Sequence, residues 1–328
     1  MKILMTGHDG YLGSVMKPML EEVGHEVIGV DMYYFSDCGN SIVEFPVDIR
    51  DLMKLGKFDA IIHLAALSND PLGEFNPKLT YDINYIATVV LAKVAKASGV
   101  SRFIFSSSCS VYGVSDGIAN EESPVCPLSA YSKSKLRAEE YLMTAADEDF
   151  SPIILRNSTA FGWSPNFRCD LVVNGMTAFA YIQNRVNIVG DGTQWRPLVH
   201  VQDICKAFLL ALEAPKKKIH NQIFNIGTRN YQVRAIASAV AELFPSCIVT
   251  NSENRDIDPR SYQVDFMKAK RELGFIPTLS PYDGVEELRN TFNSLGITDF
   301  SGCVRLAKLK SLIEYGKIDK DLHWIKKG

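Results

Sequence analysis

The stretch Met1-Lys2-Ile3-Leu4-Met5-Thr6-Gly7-His8-Asp9-Gly10-Tyr11-Leu12-Gly13 decides how the chain is read. An apolar run of strand length leads into glycines at 7, 10 and 13. Val15, Met19, Leu20 and Val23 then share one helical face. Strand, glycine turn and helix in this order form a dinucleotide-binding signature. The start of a helix leaves backbone N–H groups unpaired, and their partial positive charge suits a pyrophosphate. A side chain at Gly7 or Gly10 would hold the backbone away from that phosphate, and Gly13 lets helix and strand pack closely. Tyr11 and Leu12 complete the turn.

The next strand strengthens the reading. Glu26-Val27-Ile28-Gly29-Val30 ends in Asp31. A carboxylate there accepts from the adenosine ribose hydroxyls and repels a 2′-phosphate, which favours NAD over NADP. The plainer alternative is a turn or capping aspartate.

Working outward, strands are predicted at 2–6, 26–31, 42–46, 58–64, 102–107 and 152–156, with helices at 11–23, 77–98 and 128–146. Strand–helix alternation with short, continuously apolar strands predicts an α/β fold around a doubly wound, Rossmann-like parallel sheet. Ligands bind beyond the carboxyl ends of such strands. Beyond the third strand lie Asp48 and Ile49. Asp48 is placed either to accept from an adenine amino group or to cap the following helix. Beyond the fourth lie Leu64, Ala65, Ala66 and Ser68, whose small members admit a flat cofactor. Beyond the fifth lies a hydroxyl cluster, Ser106-Ser107-Ser108-Cys109-Ser110.

Past residue 160 the alternation becomes irregular, which predicts a smaller mixed α/β lobe. The expected division is a cofactor domain at 1–160 with a returning segment at 196–228, a substrate lobe at 161–195 and 229–302, and a helical tail at 303–328. The tail is read as a helix docked on the surface or on a partner subunit.

Composition sets bounds. The 328 residues include 46% hydrophobic and 22% charged side chains, with a net charge of −3. That balance gives no reason to expect nucleic acid or a membrane surface. No run approaches the ~18 apolar residues of a membrane span. A strand starting at residue 2 leaves no room for a signal peptide. The seven scattered cysteines form no metal-ligand spacing and fit a reducing cytoplasm.

Chemistry concentrates at Ala130-Tyr131-Ser132-Lys133-Ser134-Lys135. Tyr131 and Lys135 are four apart and share a helix face. A phenol titrates near ~10, too high for a base at neutrality. A nearby ammonium and a positive nicotinamide both favour the phenolate. Tyr131 is then placed to take a hydroxyl proton while hydride leaves the same carbon, with Ser108 holding that oxygen.

Taken together, these pieces resemble the extended short-chain dehydrogenase/reductase family, and within it the nucleotide-sugar epimerases and dehydratases. The resemblance rests on Thr6 to Gly13, Asp31, Asp48-Ile49, His63 to Ala66, Asn84, Ser106 to Gly113, Tyr131 with Lys135, and Gly190 to Asp203. It implies a tightly held NAD, reduced and reoxidised within one turnover, and a nucleotide-diphosphate sugar in the C-terminal lobe. It implies cofactor contacts from Asn84 and Ser106, and a nicotinamide-ribose contact from Lys135. Arg196 and Arg255 match diphosphate-holding arginines, and Asn174 matches an amide contact to the same group. Arg260 and Arg168 are further candidates. Ser68 and Thr159 fall near the expected sugar. A homodimer through the helices at 77–98 and 128–146 follows by analogy.

Departures from the family pattern narrow the reaction. The 4,6-dehydratases carry a pair resembling Asp-Glu after the catalytic hydroxyl, whereas this chain carries Cys109-Ser110. The arrangement is closer to the 4-epimerases. Cys109 is either a buried small residue or a proton-exchanging thiol as in GDP-fucose synthase-like enzymes. Thr159 stands where Asn is usual, and Pro197 where Asp is common. The expectation is an NAD-dependent nucleotide-sugar 4-epimerase. The rivals are a 4-ketoreductase or dehydrogenase with net redox, and a catalytically dead NAD-binding regulator.

Overall fold

The computed structural model describes residues 1–36, 46–114, 117–252 and 260–325. Its first half alternates β1 (Lys2–Thr6), α1 (Gly13–Glu22), β2 (Glu26–Val30), β3 (Ala60–His63), α2 (Asp70–Phe75), α3 (Pro77–Tyr81), α4 (Ala87–Ala97), β4 (Arg102–Ser108), β5 (Ile118–Ala119), α5 (Ala130–Ala145) and β6 (Ser151–Asn157). A π-helical turn, Asp82–Ile86, joins α3 to α4, so the helix expected at 77–98 is continuous in path but changes winding. Residues 42–45 of the strand expected at 42–46 lie outside the described residues. Val47 N–H donates to Asp31 O at 2.8 Å, which returns the chain beside the end of β2.

After β6 come β7 (Thr159–Phe161), α6 (Val172–Gln183), β8 (Arg185–Val189), β9 (Trp195–His200), α7 (Val201–Glu213), α8 (Lys216–Ile219), β10 (Gln222–Ile226), β11 (Arg229–Gln232), α9 (Val233–Leu243), β12 (Ile248–Ser252), β13 (Gln263–Val264), α10 (Pro281–Leu295) and α11 (Arg305–Glu314). The large sheet has the order β10-β6-β4-β3-β1-β2 and is parallel throughout.

Alternation along the strands explains the double winding. Ile3, Met5, Ile104 and Leu155 face α1 and α7, packing with Met16, Leu20, Ile204 and Phe208. Leu4, Phe103, Phe105 and Ile154 face the other way and pack with Leu91 and Leu142 of α4 and α5. Apolar residues on both faces are what a sheet covered by helices on both sides requires.

Within the expected returning segment, β10 joins the large sheet and α7 packs on it, whereas β9 belongs to a three-stranded sheet, β11-β9-β7. That small sheet, α6, α9 and α10 surround a second core containing Phe161, Val186, Leu198, Val240 and Val285. All carboxyl ends of the large sheet point at the seam between the two cores, and the cleft opens there.

Candidate active site

The cleft encloses about 310 Å³ and runs from the glycine turn past the ends of β2, β3, β4 and β6. Gly7 has φ +74°, and a Cβ there would lie 2.6 Å from Ala65 N. Its backbone therefore touches the segment after β3 directly. A Cβ at Gly13 would lie 2.3 Å from Gly7 O, so α1 can begin only there without a side chain. The first turn of α1 carries no side-chain cap. Gly7, Gly10, Tyr11, Leu12, Gly13, Asp31, Asp48, Ile49, Leu64, Ala65 and Ala66 all line the cleft.

Asp31 accepts N–H bonds from Asp9 at 3.1 Å and from Tyr33 at 2.9 Å. Burial pushes its carboxyl above the ordinary range. Asp48 does cap the short helical turn after it, accepting from Arg50 N–H at 2.8 Å, while it also lines the cleft. Asn84 is spent elsewhere. Its amide accepts from Leu67 N–H at 2.8 Å and donates to Leu67 O at 3.1 Å and Ser134 Oγ at 3.1 Å. It shapes the wall from behind.

Three elements bring the chemistry together. β4 ends in Ser106-Ser107-Ser108, and α5 starts with a capping box of Ser129 and Ser132. α2 presses its Gly73 against Tyr131, where a Cβ would lie 2.9 Å from Tyr131 Cβ. Ser106, Ser108, Tyr131 and Lys135 all line the cleft. Lys135 is buried and donates to Ser106 O at 2.8 Å, with its ammonium 4.6 Å from the centre of the Phe105 ring. Burial lowers its pKa to about 7, and Glu139 partly opposes this. Burial likewise pushes the Tyr131 phenol up to about 12, with the Asp70 carboxylate adding to the shift. The Ser108 hydroxyl, Arg168 and Arg260 act in the opposite direction. The cations that weigh most on the phenol are thus these two arginines, where the sequence pointed to Lys135.

Beneath this group His63 sits fully buried between Thr6 Oγ1 at 2.6 Å and Thr88 Oγ1 at 2.8 Å. Burial, then the Lys135 charge, lower its pKa to about 3. Cys109 is also fully buried. Its thiol donates to Arg156 O at 3.1 Å, and burial pushes it up to about 12. The side chains on either side of it, Ser108 and Ser110, line the cleft. The buried small residue is therefore the form Cys109 takes.

Toward the second lobe the expected residues divide. Ser68, Thr159 and Arg260 line the cleft. Arg260 pairs with Asp70, which also accepts from Ser129 Oγ. Arg168 pairs with Asp170 at 2.8 Å and donates to Ser68 Oγ at 3.2 Å. Arg196 does not line the cleft. Its guanidinium donates to the backbone carbonyls of Trp195 and Arg260, which steadies the segment carrying Arg260. Asn174 is fully buried, accepting from Gly162 N–H at 2.9 Å and donating to Tyr11 OH at 3.2 Å. It ties the second lobe to the glycine turn. Arg255 lies outside the described residues.

Residues not singled out from the sequence also line the cleft, among them Asp70, Asn157, Tyr262 and Arg305. Asp70 had a local signal, since Asn69-Asp70-Pro71 is a helix-start pattern. Arg305 had none, because only tertiary packing brings the tail here.

The cleft suits a dinucleotide. The glycine turn admits close backbone approach. Ser110 Oγ, Asn157 Oδ1 and Arg168 Nη2 are buried with no hydrogen-bond partner among the described residues. Orphaned polar atoms of this kind around one cavity indicate a polar ligand. Among the described residues no His/Cys/Asp/Glu group has the make-up of a metal site, and no helix is long and apolar enough to cross a membrane.

Residues 3–227 match the NAD dependent epimerase/dehydratase family, and the chain belongs to it. It is an NAD-dependent enzyme of that class. Over 304 residues it is 28% identical to the UDP-glucose 4-epimerase of Corynebacterium glutamicum, covering 84% of this chain and 91% of that one. The crystal structure of UDP-glucose 4-epimerase with UDP-glucose from Thermotoga maritima superposes with a TM-score of 0.80 at 28% identity, covering 90% of this chain and 100% of that one. UDP-glucuronic acid 4-epimerase from Bacillus cereus, in complex with UDP-glucuronic acid and NAD, gives a TM-score of 0.76 at 26% identity, with coverages of 90% and 100%.

Proposed function

We propose that the enzyme is a nucleotide-sugar 4-epimerase, inverting the C4 hydroxyl of a sugar carried on a nucleoside diphosphate. The observation that carries this reading is the company Tyr131 keeps. Ser108, Lys135 and the glycine turn share its cleft, while the position after Ser108 holds a buried thiol and the next a serine. No carboxylate stands there to drive elimination at C5.

In this reading Tyr131 takes the proton from the C4 hydroxyl and later returns it. Ser108 Oγ donates to the same sugar oxygen and fixes its direction. A phenol held up at about 12, even with Arg168 and Arg260 pulling it down, must be lowered further on binding, and the positive charge of a bound nicotinamide acts in that direction. Lys135, anchored on Ser106 O, reaches toward the nicotinamide ribose. Asp31 accepts from the adenosine ribose, and Asp48 with Ile49 borders the adenine. NAD, when bound, supplies the hydride acceptor and donor. Arg168 and Arg260, both at the cleft, receive the substrate diphosphate, a role the family resemblance also implies for Arg255. Arg196 and Asn174 support that pocket through the Arg260 carbonyl and Gly162.

We further propose a homodimer through α3–α4 and α5, where half-exposed Ile86 and Tyr85 flank the helices, and a cytoplasmic setting, which the free thiols of Cys109, Cys126, Cys169, Cys205 and Cys247 favour. The test of function is incubation of pure enzyme with UDP-, dTDP-, GDP- and CDP-sugars without added reductant. Inversion at C4 of at least one is expected, and absence of inversion with all of them sinks the reading.

A further inference from the structure

The register of β4 against β6 sets Ser108 opposite Asn157, so the amide stands on the strand beside the hydroxyl that holds the sugar oxygen. Asn157 is 8% exposed and lines the cleft together with Ser106, Ser108, Tyr131 and Lys135. The direction of its amide is fixed. Nδ2 donates to Ser106 Oγ at 3.0 Å and to Ser107 O at 3.4 Å. A main-chain carbonyl only accepts, so the amide nitrogen has to be the atom that faces it. Oδ1 is left over, buried and with no hydrogen-bond partner among the described residues. A buried amide oxygen without a donor costs free energy until one reaches it. The same serine ties the neighbouring cation into place, since Ser106 O accepts from Lys135 Nζ at 2.8 Å.

We propose that Asn157 Oδ1 accepts from the carboxamide NH2 of the nicotinamide and so sets the orientation of the ring. The inference deepens the reading of the site given above and rests on it, with the nicotinamide end of NAD beside Tyr131. The chemistry of the donor matches. The carboxamide is the one N–H donor that the nicotinamide carries, and Oδ1 offers a lone acceptor held still by two bonds on its own NH2. Sugar hydroxyls are the competing donors. The substrate wall, however, lies on the segments carrying Arg168 and Arg260, whereas Asn157 ends a strand of the large cofactor sheet. A fixed acceptor there holds one rotational setting of the ring. A reaction that sends hydride out and back through the same ring depends on that setting being kept.

The test compares NAD⁺ with 3-acetylpyridine adenine dinucleotide, in which a methyl group replaces the carboxamide NH2. Both are titrated by calorimetry into full-length protein stripped of cofactor. The proteins are wild type and Asn157→Leu, which keeps a similar volume and removes the acceptor. Wild type is expected to prefer NAD⁺ about tenfold, the worth of one well-made buried hydrogen bond. Asn157→Leu is expected to bind the two within about twofold of each other, mainly through weaker NAD⁺ binding. A general disturbance of the strand end weakens both dinucleotides and leaves their ratio alone, so the ratio reads the contact rather than the fold. Equal affinities in wild type overturn the proposal, and so does a preference that survives in Asn157→Leu. A loss confined to nucleotide-sugar affinity also overturns it, by turning the oxygen toward the substrate. Should Asn157→Leu fail to fold, Asn157→Ala goes through the same comparison. If wild type binds neither dinucleotide, the cofactor placement falls and this assignment with it. Inversion at C4 by the wild-type enzyme decides the 4-epimerase reading separately.

Discussion

The two walls of the cleft are built on different principles. The cofactor wall is backbone: a glycine turn, the ends of parallel strands, and small residues at 65 and 66. Its elements lie close together in sequence, and register alone brings them into line. The substrate wall is side chains, mostly arginines and carboxylates drawn from α2, the segment before α6 and the segment before β13. They are paired with one another, Arg168 with Asp170 and Arg260 with Asp70. A wall made of backbone is preorganised. Under the proposed function, a wall made of ion pairs exchanges partners when a diphosphate enters, and that exchange sets substrate choice.

The sharpest way to break this contrast lies where the walls meet. Tyr131→Phe keeps the ring that packs against Gly73 and removes the phenolic oxygen proposed to take the proton. Turnover should fall by roughly 10²–10⁴, with NAD content and melting temperature unchanged. Retained turnover would move the chemistry away from α5 altogether.

Next in size is the backbone wall itself. Gly7→Ala places a methyl 2.6 Å from Ala65 N at a φ of +74°. Both strain and collision push the turn away from the strand, at a cost of about 1–3 kcal/mol for the conformation alone. The protein should emerge without NAD and melt lower, while nucleotide-sugar affinity measured by calorimetry changes little. An equal loss of both ligands would show that the walls are not separable.

The substrate wall should respond more gently. Arg168→Met frees Asp170 and removes the buried Nη2 that faces the cleft. The Michaelis constant for the nucleotide sugar should rise roughly tenfold, with a smaller fall in kcat. A fall in kcat alone would mean that Arg168 acts mainly on the Tyr131 phenol.

This division also explains what could be read in the sequence. The sheet, the glycine turn, Asp31 and the Tyr131–Lys135 pair were legible because each is a local pattern with a fixed period or spacing. Asp48 was legible as two alternatives, and the fold uses one without vacating the other, since a cap can still border the cleft. Asn84, Asn174 and Arg196 were read as ligand contacts, but their hydrogen bonds go to Leu67, to Gly162 with Tyr11, and to main-chain carbonyls. No periodicity records which partner a buried amide finds. Arg305 was invisible because a cation in a Lys-rich helical tail looks like any solvated face until the tail docks.

The smallest effect distinguishes the walls by their response to acid. His63 in the cofactor wall is held neutral by burial, its pKa lowered from 6.5 to about 3. A lowered value means the unfolded chain takes up the proton first. Between pH 6.5 and 3 the unfolded state therefore binds more protons, and stability falls as pH falls through that window. Above pH 6.5 His63 exerts no such pull. His63→Gln keeps a group able to bond Thr6 and Thr88 but cannot titrate. Its melting temperature should sit below wild type at pH 7, since the stacking on Phe105 is lost, and the gap should narrow steadily toward pH 4. A gap that stays constant with pH would place the acid sensitivity in the carboxylate–arginine pairs of the opposite wall, and make the backbone wall indifferent to protons.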